Sequence, residues 1–277
     1  MTFATHYSPA GCRGNAAKWL NTATSALVAL FLLAFSATGR SENATNASTI
    51  YFETVFQARQ QAYQASRTNN ELACQFARAC FDRAEFATND TQRAQLAQLG
   101  IKASREAVRR DPKCLQGHYY LGMNLGQLAR TKSLGALSIV DEMEIEFKAA
   151  RALNDKFDQA GPDRTLGMLY LDAPSTISIG SRSKARTHLQ RAVELAPDFP
   201  ENHLNLAEAR VRWRDLEGAR RELAALEAGL VKARADFTGD AWAAAWVDWE
   251  LRLQKLRTQL QTASKIKPAT SPKGAPR

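Results

Sequence analysis

The chain predicts an all-α fold, a curved array of stacked helical hairpins with a capping helix at each end. Three observations carry this. Ala, Leu, Arg, Glu and Gln dominate a composition that is 45% hydrophobic, and these residues lose little side-chain freedom on entering a helix. Pro and Gly are scarce between about residues 50 and 260 and fall mostly at apparent helix ends. Small side chains recur at a fixed place relative to bulky ones, in copy after copy along the chain.

The clearest copy lies in HYYLGMNL. His118, Leu121, Gly122 and Leu125 fall at positions 4, 7, 8 and 11 of a helix pair, and Asp111-Pro112 supplies the stop before it. An earlier copy has Phe76, Ala77 and Cys80 at positions 7, 8 and 11, with Ala107 at position 27. A third has Leu166, Gly167 and Tyr170 in its first helix, then Ala185, Leu189, Ala192 and Pro197 in its second. The fourth keeps standard spacing throughout, with His203, Leu206, Ala207, Ala219, Leu223 and Leu226. The small residues let two helices cross closely and the large ones fill the gap to the next pair, which is the tetratricopeptide pattern. In the first three copies position 8 lies 30, 28 and 25 residues before position 27 (Ala77 to Ala107, Gly122 to Ala150, Gly167 to Ala192). The surplus is expected as insertions at FATNDTQ, TKSLGALSIV and LDAPSTISIGSRS.

Outside the repeats, IYFETVFQARQQAYQASR at about 50–67 predicts one cap. DFTGDAWAAAWVDWELRLQKLRTQL predicts the other, with Trp242, Trp246 and Trp249 on one face. An oligomer contact is the other reading of that aromatic face. The helical domain is therefore expected over 50–262, after a linker at 40–49 and before a disordered basic tail at 263–277 rich in Pro, Ser, Lys and Ala.

Residues 1–39 read as a signal peptide or an anchor. Arg13 and Lys18 precede the apolar run ATSALVALFLLAFSA at 23–37, and small residues follow it. The run is shorter than the roughly 20 residues of a spanning helix. Export to a periplasmic or secreted location is the first expectation and membrane anchoring by 23–37 the alternative. The net charge of +9 falls by two without Arg13 and Lys18, and four more basic residues (Lys265, Lys267, Lys273, Arg277) lie in the tail. The body is thus only mildly basic and carries no Arg/Lys run with interleaved aromatics, which argues against nucleic acid as a partner.

The four cysteines are Cys12, Cys74, Cys80 and Cys114. Cys74 and Cys80 sit roughly 120° apart around one helix and about 9 Å along it, so they cannot bond to each other. Cys114, at the start of a later helix, could meet either. No spacing suggests zinc, and no metal or cofactor is expected. Catalysis has little support. His118 and His203 both occupy position 4, a packing slot, and no nucleophile–base spacing or phosphate loop is evident.

In this repeat type the first helix of each pair lines the concave side. Applying that register nominates Gln116, Tyr119, Met123, Gly126 and Gln127 in the second repeat, Arg164, Met168, Leu171 and Asp172 in the third, and Glu201, Leu204, Glu208 and Arg212 in the fourth; Asn124, Arg130 and Lys132, which flank the second insertion, are secondary candidates. Such a groove suits a protein partner or a small acidic ligand, with Arg164 as the anion's partner. The competing reading pairs Arg164, Glu208 and Arg212 with acids and bases of neighbouring helices.

Three stretches go beyond a generic repeat: GHYYLGMNLGQLARTKSLGAL, AGPDRTLGMLYLDAP and SIGSRSKARTHLQRAVELAPDFPENHLNLAEA. They resemble the TRAP transporter T-component family over roughly residues 70–230. The resemblance implies a periplasmic helical protein that associates with a solute-binding protein and can self-associate. Many members are lipoproteins, whereas no lipobox cysteine directly follows the apolar run here. The helical organisation also resembles the regulators of microtubule dynamics, which implies instead a membrane-anchored adaptor.

Overall fold

The computed structural model describes residues 38–132 and 136–265. Among them are ten helices: α1 (Thr38–Ala65), α2 (Asn70–Glu85), α3 (Asp90–Arg110), α4 (Leu115–Ala129), α5 (Ala136–Leu153), α6 (Phe157–Asp172), α7 (Arg182–Leu195), α8 (Pro200–Arg212), α9 (Leu216–Asp236) and α10 (Asp240–Lys265). They form four hairpins, α2/α3, α4/α5, α6/α7 and α8/α9, each packed on the next. The fold is the expected tetratricopeptide-like solenoid. The apolar run at 23–37 lies outside the described residues, as does most of the tail. Residues 40–49, expected as a linker, lie within α1, and α10 runs three residues into the expected tail. None of the described helices is long and apolar enough to cross a membrane.

Local chemistry sets the helix starts. The side chains of Asn69, Asn89, Ser181 and Asp215 each accept a hydrogen bond from the backbone N–H three residues on, satisfying donors that a helix end leaves bare. Pro200 opens α8 at a position where its missing N–H costs nothing.

Hairpin packing follows the small residues. Ala77, Ala107, Ala150, Ala185, Ala192, Ala207 and Ala219 are all essentially inaccessible to solvent. A Cβ placed on Gly122 would stand 2.5 Å from Phe147 Cε1, and one on Gly167 2.7 Å from Leu189 Cγ. In both, a bulky residue of the second helix rests on the bare backbone of the first.

The surplus residues do not all become loops. Between α2 and α3 only residues 86–89 are non-helical, so the first insertion is spent on a longer second helix of 21 residues. The third remains a loop at 173–181, folded back so that the Ser181 N–H donates to the Tyr170 carbonyl. Its Gly180 leaves no room for a side chain, since a Cβ there would lie 2.0 Å from the Ala173 carbonyl oxygen.

Position 4 is more than a packing slot. His118 Nδ1 lies 2.6 Å from a Glu146 carboxylate oxygen, and its Nε2 is 2.9 Å from the Pro112 carbonyl. His203 repeats the arrangement with Glu222 and the Pro197 carbonyl, each at 3.0 Å. Each imidazole ties the stop of one repeat to the second helix of the next. Burial opposes the charge on His118, but the Pro112 carbonyl and the Glu146 carboxylate outweigh it and raise its pKa.

At the C-terminal end Trp242, Trp246 and Trp249 are buried with Phe199 and Phe237, and the Trp246 indole N–H donates to the Phe237 carbonyl at 2.7 Å. This is a cap over the last hairpin. The two end helices do more than cap, because α1 and α10 also pack on each other. The open curved wall that stacked hairpins would leave is thereby closed into a basin.

Two outcomes test this packing. Gly122→Ala is expected to cost about 1–3 kcal/mol in urea denaturation, because the Phe147 ring cannot retreat. Gly229→Ala, where a Cβ meets nothing within 4 Å, is expected to stabilise by about 0.5–1 kcal/mol. For His118 the sign runs with the raised pKa. Its contribution is complete below the unfolded value near 6.5 and is lost as pH rises through the folded one. The stability of the protein relative to His118→Phe is therefore expected to fall as the pH rises above about 6.5, measured by denaturation at a series of pH values.

Candidate functional site

A concavity of about 770 Å³ lies between α1, α2, the start of α4 and the junction of α5 with α6. Tyr51, Phe52 and Val55 of α1 form one wall. Glu71, Cys74, Gln75, Arg78 and Asp82 of α2 form the facing one, and Gln116 and Tyr120 contribute from α4. Residues 154 and 156–159 close the floor, and Ala241 of α10 reaches the edge. Along the rim Arg59 donates to Gln75 at 2.7 Å, and Gln75 donates to Glu71 at 2.7 Å. Arg78 stands 3.5 Å from Asp82 one turn further on. The basin thus offers aromatic surface below and charge of both signs around it.

The floor depends on an unusual backbone. Asp158, Gln159 and Ala160 have φ of 53°, 57° and 62°, three consecutive left-handed residues of which none is glycine. L-residues disfavour this region by roughly 1–2 kcal/mol each. Arg164 holds the turn in place. Its guanidinium donates to the carbonyls of Asp158 at 3.1 Å and Gln159 at 2.9 Å, and to the Asp158 carboxylate at 3.1 Å. It also lies over the Phe199 ring, 5.0 Å from the centroid. Asn202 from α8 donates to the Gln159 carbonyl at 3.1 Å and to the carbonyls of Ala192 and Ala196 at 3.0 Å. Tyr119 donates to Asp158 at 2.7 Å. Burial raises the Asp158 pKa, while Arg164, Arg78 and the Tyr119 hydrogen bond favour its anion.

Of the residues the groove register nominates, only Gln116 lines this basin. Tyr119, Met123, Asn124, Gln127 and Arg164 are buried between hairpins. Asn124 donates to the Ala77 and Tyr120 carbonyls, and Gln127 to Glu85. Arg164, only 4% exposed, spends its donors on the turn, so the anion expected of a ligand is supplied by Asp158. Glu208 is held in a fork by Arg252 of α10 at 2.9 and 2.8 Å. Arg212 donates to Asp172 at 2.7 Å, and Met168 packs against the cluster of Leu189, Leu206 and Ala209. The left-handed turn and α10 cover positions that would face a groove in an open array. The same register applied to the first repeat, at positions 2, 5, 9 and 13, yields Glu71, Cys74, Arg78 and Asp82, all of them basin residues. That signal is present in the chain, in the one repeat from which no groove residue was nominated.

Two sulfurs meet at the edge of the α2 wall. Cys74 Sγ and Cys114 Sγ are 3.4 Å apart and unbonded. Their hydrogen bond lowers the Cys114 pKa, and the same bond together with burial raises that of Cys74. Among the described residues no group of three or more His, Cys, Asp or Glu is placed to hold a metal ion.

The fold is that of a tetratricopeptide-like helical-hairpin solenoid. Residues 39–159 match the family described as Regulator of microtubule dynamics protein 1-3. Comparison with curated protein sequences gives no match. Among solved structures the chain is similar to TTC0263, a thermophilic TPR protein of Thermus thermophilus. The TM-score is 0.56 at 18% identity, over 78% of this chain and 98% of that one. Lower similarity is found to MamA (TM-score 0.41, 14% identity, 85% and 99% covered) and to yeast Tom70 (TM-score 0.30, 10% identity, 86% and 70% covered).

Arg164→Met is expected to destabilise the protein by about 3–5 kcal/mol, because it strands the Asp158 carboxylate. Adding Asp158→Asn should recover part of that loss, since the unpaired charge is then gone. Urea denaturation of the two variants reads both effects.

Proposed function

We propose that this chain is a non-catalytic scaffold whose basin takes a segment of a partner protein. The observation that carries the reading is the 770 Å³ concavity, with aromatic side chains on its walls and Arg59, Glu71 and Lys156 around it. Such a surface suits a peptide segment with apolar anchors and flanking charges of both signs. Three of the titratable groups that line it are held in place, Asp158 by Arg164 and Tyr119, and Arg78 and Asp82 by each other. They serve recognition rather than proton transfer.

The match at 39–159 takes in every residue lining the basin except Ala241. This supports a membrane-associated adaptor similar to the regulators of microtubule dynamics, with the basin as its recognition surface. The second reading is an exported scaffold that partners the solute-binding protein of a TRAP-type transport system. It rests on the resemblance over residues 70–230 and on the apolar segment at 23–37.

Affinity capture with the full chain, read by mass spectrometry, separates the two. Tubulin or a cytoskeletal protein supports the adaptor, and a solute-binding protein or transporter subunit supports the exported scaffold. For either partner, Arg59→Glu is expected to lower recovery about tenfold, roughly 1.4 kcal/mol of binding, with an unchanged melting temperature. Undiminished recovery would place binding elsewhere on the solenoid.

A further inference from the structure

Cys74 sits on the first turns of α2, and Cys114 is the residue that begins α4. Their sulfurs are already at 3.4 Å. A disulfide needs about 2.05 Å, so side-chain rotation with a small approach of the two helices would close the gap. Access to the two differs. Cys74 is 1% exposed, while Cys114 is half-buried and so open to a reagent from solvent. Its sulfur is held against the first turn of α4, since a Cβ on Gly117 would lie 3.2 Å from it. A helix N-terminus favours a thiolate. Cys80, six residues along α2, is buried with its thiol raised chiefly by burial.

We propose that Cys74 and Cys114 are a redox-responsive thiol pair that closes to an intramolecular disulfide by exchange with a small disulfide such as oxidised glutathione. In the first step the Cys114 thiolate attacks one sulfur of the donor. The donor S–S bond breaks, one thiolate leaves and takes up a proton from water, and a mixed disulfide forms at Cys114. In the second step Cys74 attacks the Cys114 sulfur. The mixed disulfide breaks, and the Cys74 proton passes to the second departing thiolate. Two protein thiols are oxidised and one donor disulfide is reduced to two thiols. The hydrogen bond that lowers the Cys114 pKa favours the first step. Once Cys114 is capped, that bond no longer raises Cys74, which favours the second. The closed bond ties α2 to the start of α4 across the whole of α3, at the edge of the basin.

The test uses the full chain treated with oxidised glutathione, followed by alkylation and peptide mapping without reductant. The expected product links the peptide of Cys74 to that of Cys114, leaves Cys80 open to alkylation after unfolding, and forms equally in Cys80→Ser. In the reduced protein Cys114 is expected to alkylate at least about tenfold faster than Cys74. A persistent glutathione adduct on Cys114, a bond that uses Cys12 or Cys80, equal alkylation rates, or no bond at all would each overturn the proposal. The mapping is done on the unsubstituted protein, so it does not depend on a variant folding.

Discussion

Close crossing of paired helices is the constraint on which this structure depends. At Gly122 and Gly167 the first helix offers bare backbone, and Phe147 and Leu189 of the second helix rest directly on it. The buried alanines at the equivalent and neighbouring positions extend that contact from hairpin to hairpin. Interiors packed this tightly transmit a misfit rather than absorb it. At the ends of the array α10 packs against α1. α10 reaches the edge of the basin at Ala241, while the left-handed turn at residues 158–160 supplies its floor.

Within this frame the buried charges do a second job. An ion pair such as Arg164–Asp158 is poor evidence for net stability, because desolvation offsets much of the attraction. What Arg164 does here is specify a backbone conformation. Its carbonyl contacts, with those of Asn202, fix three non-glycine residues in the left-handed region, and the turn they make carries Lys156, Phe157 and Gln159 to the basin floor. The position-4 histidines act in a similar way at the repeat joints, where each imidazole replaces a purely apolar filler with two directed hydrogen bonds.

The hairpin pattern was legible because it rests on side-chain size at fixed spacing, and size is visible in a sequence. Ala77, Gly122, Gly167 and Ala207 identified the crossings, and the tryptophan periodicity identified the cap. The groove was not legible in the same way. Its nominated residues followed from a register that assumes first helices exposed on their concave side. Here Tyr119 and Arg164 are covered by a turn with little local signature, since of its three positive-φ residues only Asp158 is of a type that visits that region, and Gln159 and Ala160 are not. Glu208 is covered by Arg252, which lies 44 residues away. The first repeat escaped nomination although its own register names the basin wall. The surplus between Ala77 and Ala107 read as a loop because spacing alone cannot distinguish a longer turn from a longer helix.

The meeting of α1 and α10 changes how the array should behave as a chain. A linear solenoid is stabilised by nearest-neighbour contacts, so its terminal units fray first and strain at one end is not felt at the other. Joining the two extremities adds an interaction between residues some two hundred positions apart, and loop closure over that distance must precede its reward. Unfolding then loses its natural starting points, and the molecule acquires the single cooperative transition of a globule although it is assembled as a series.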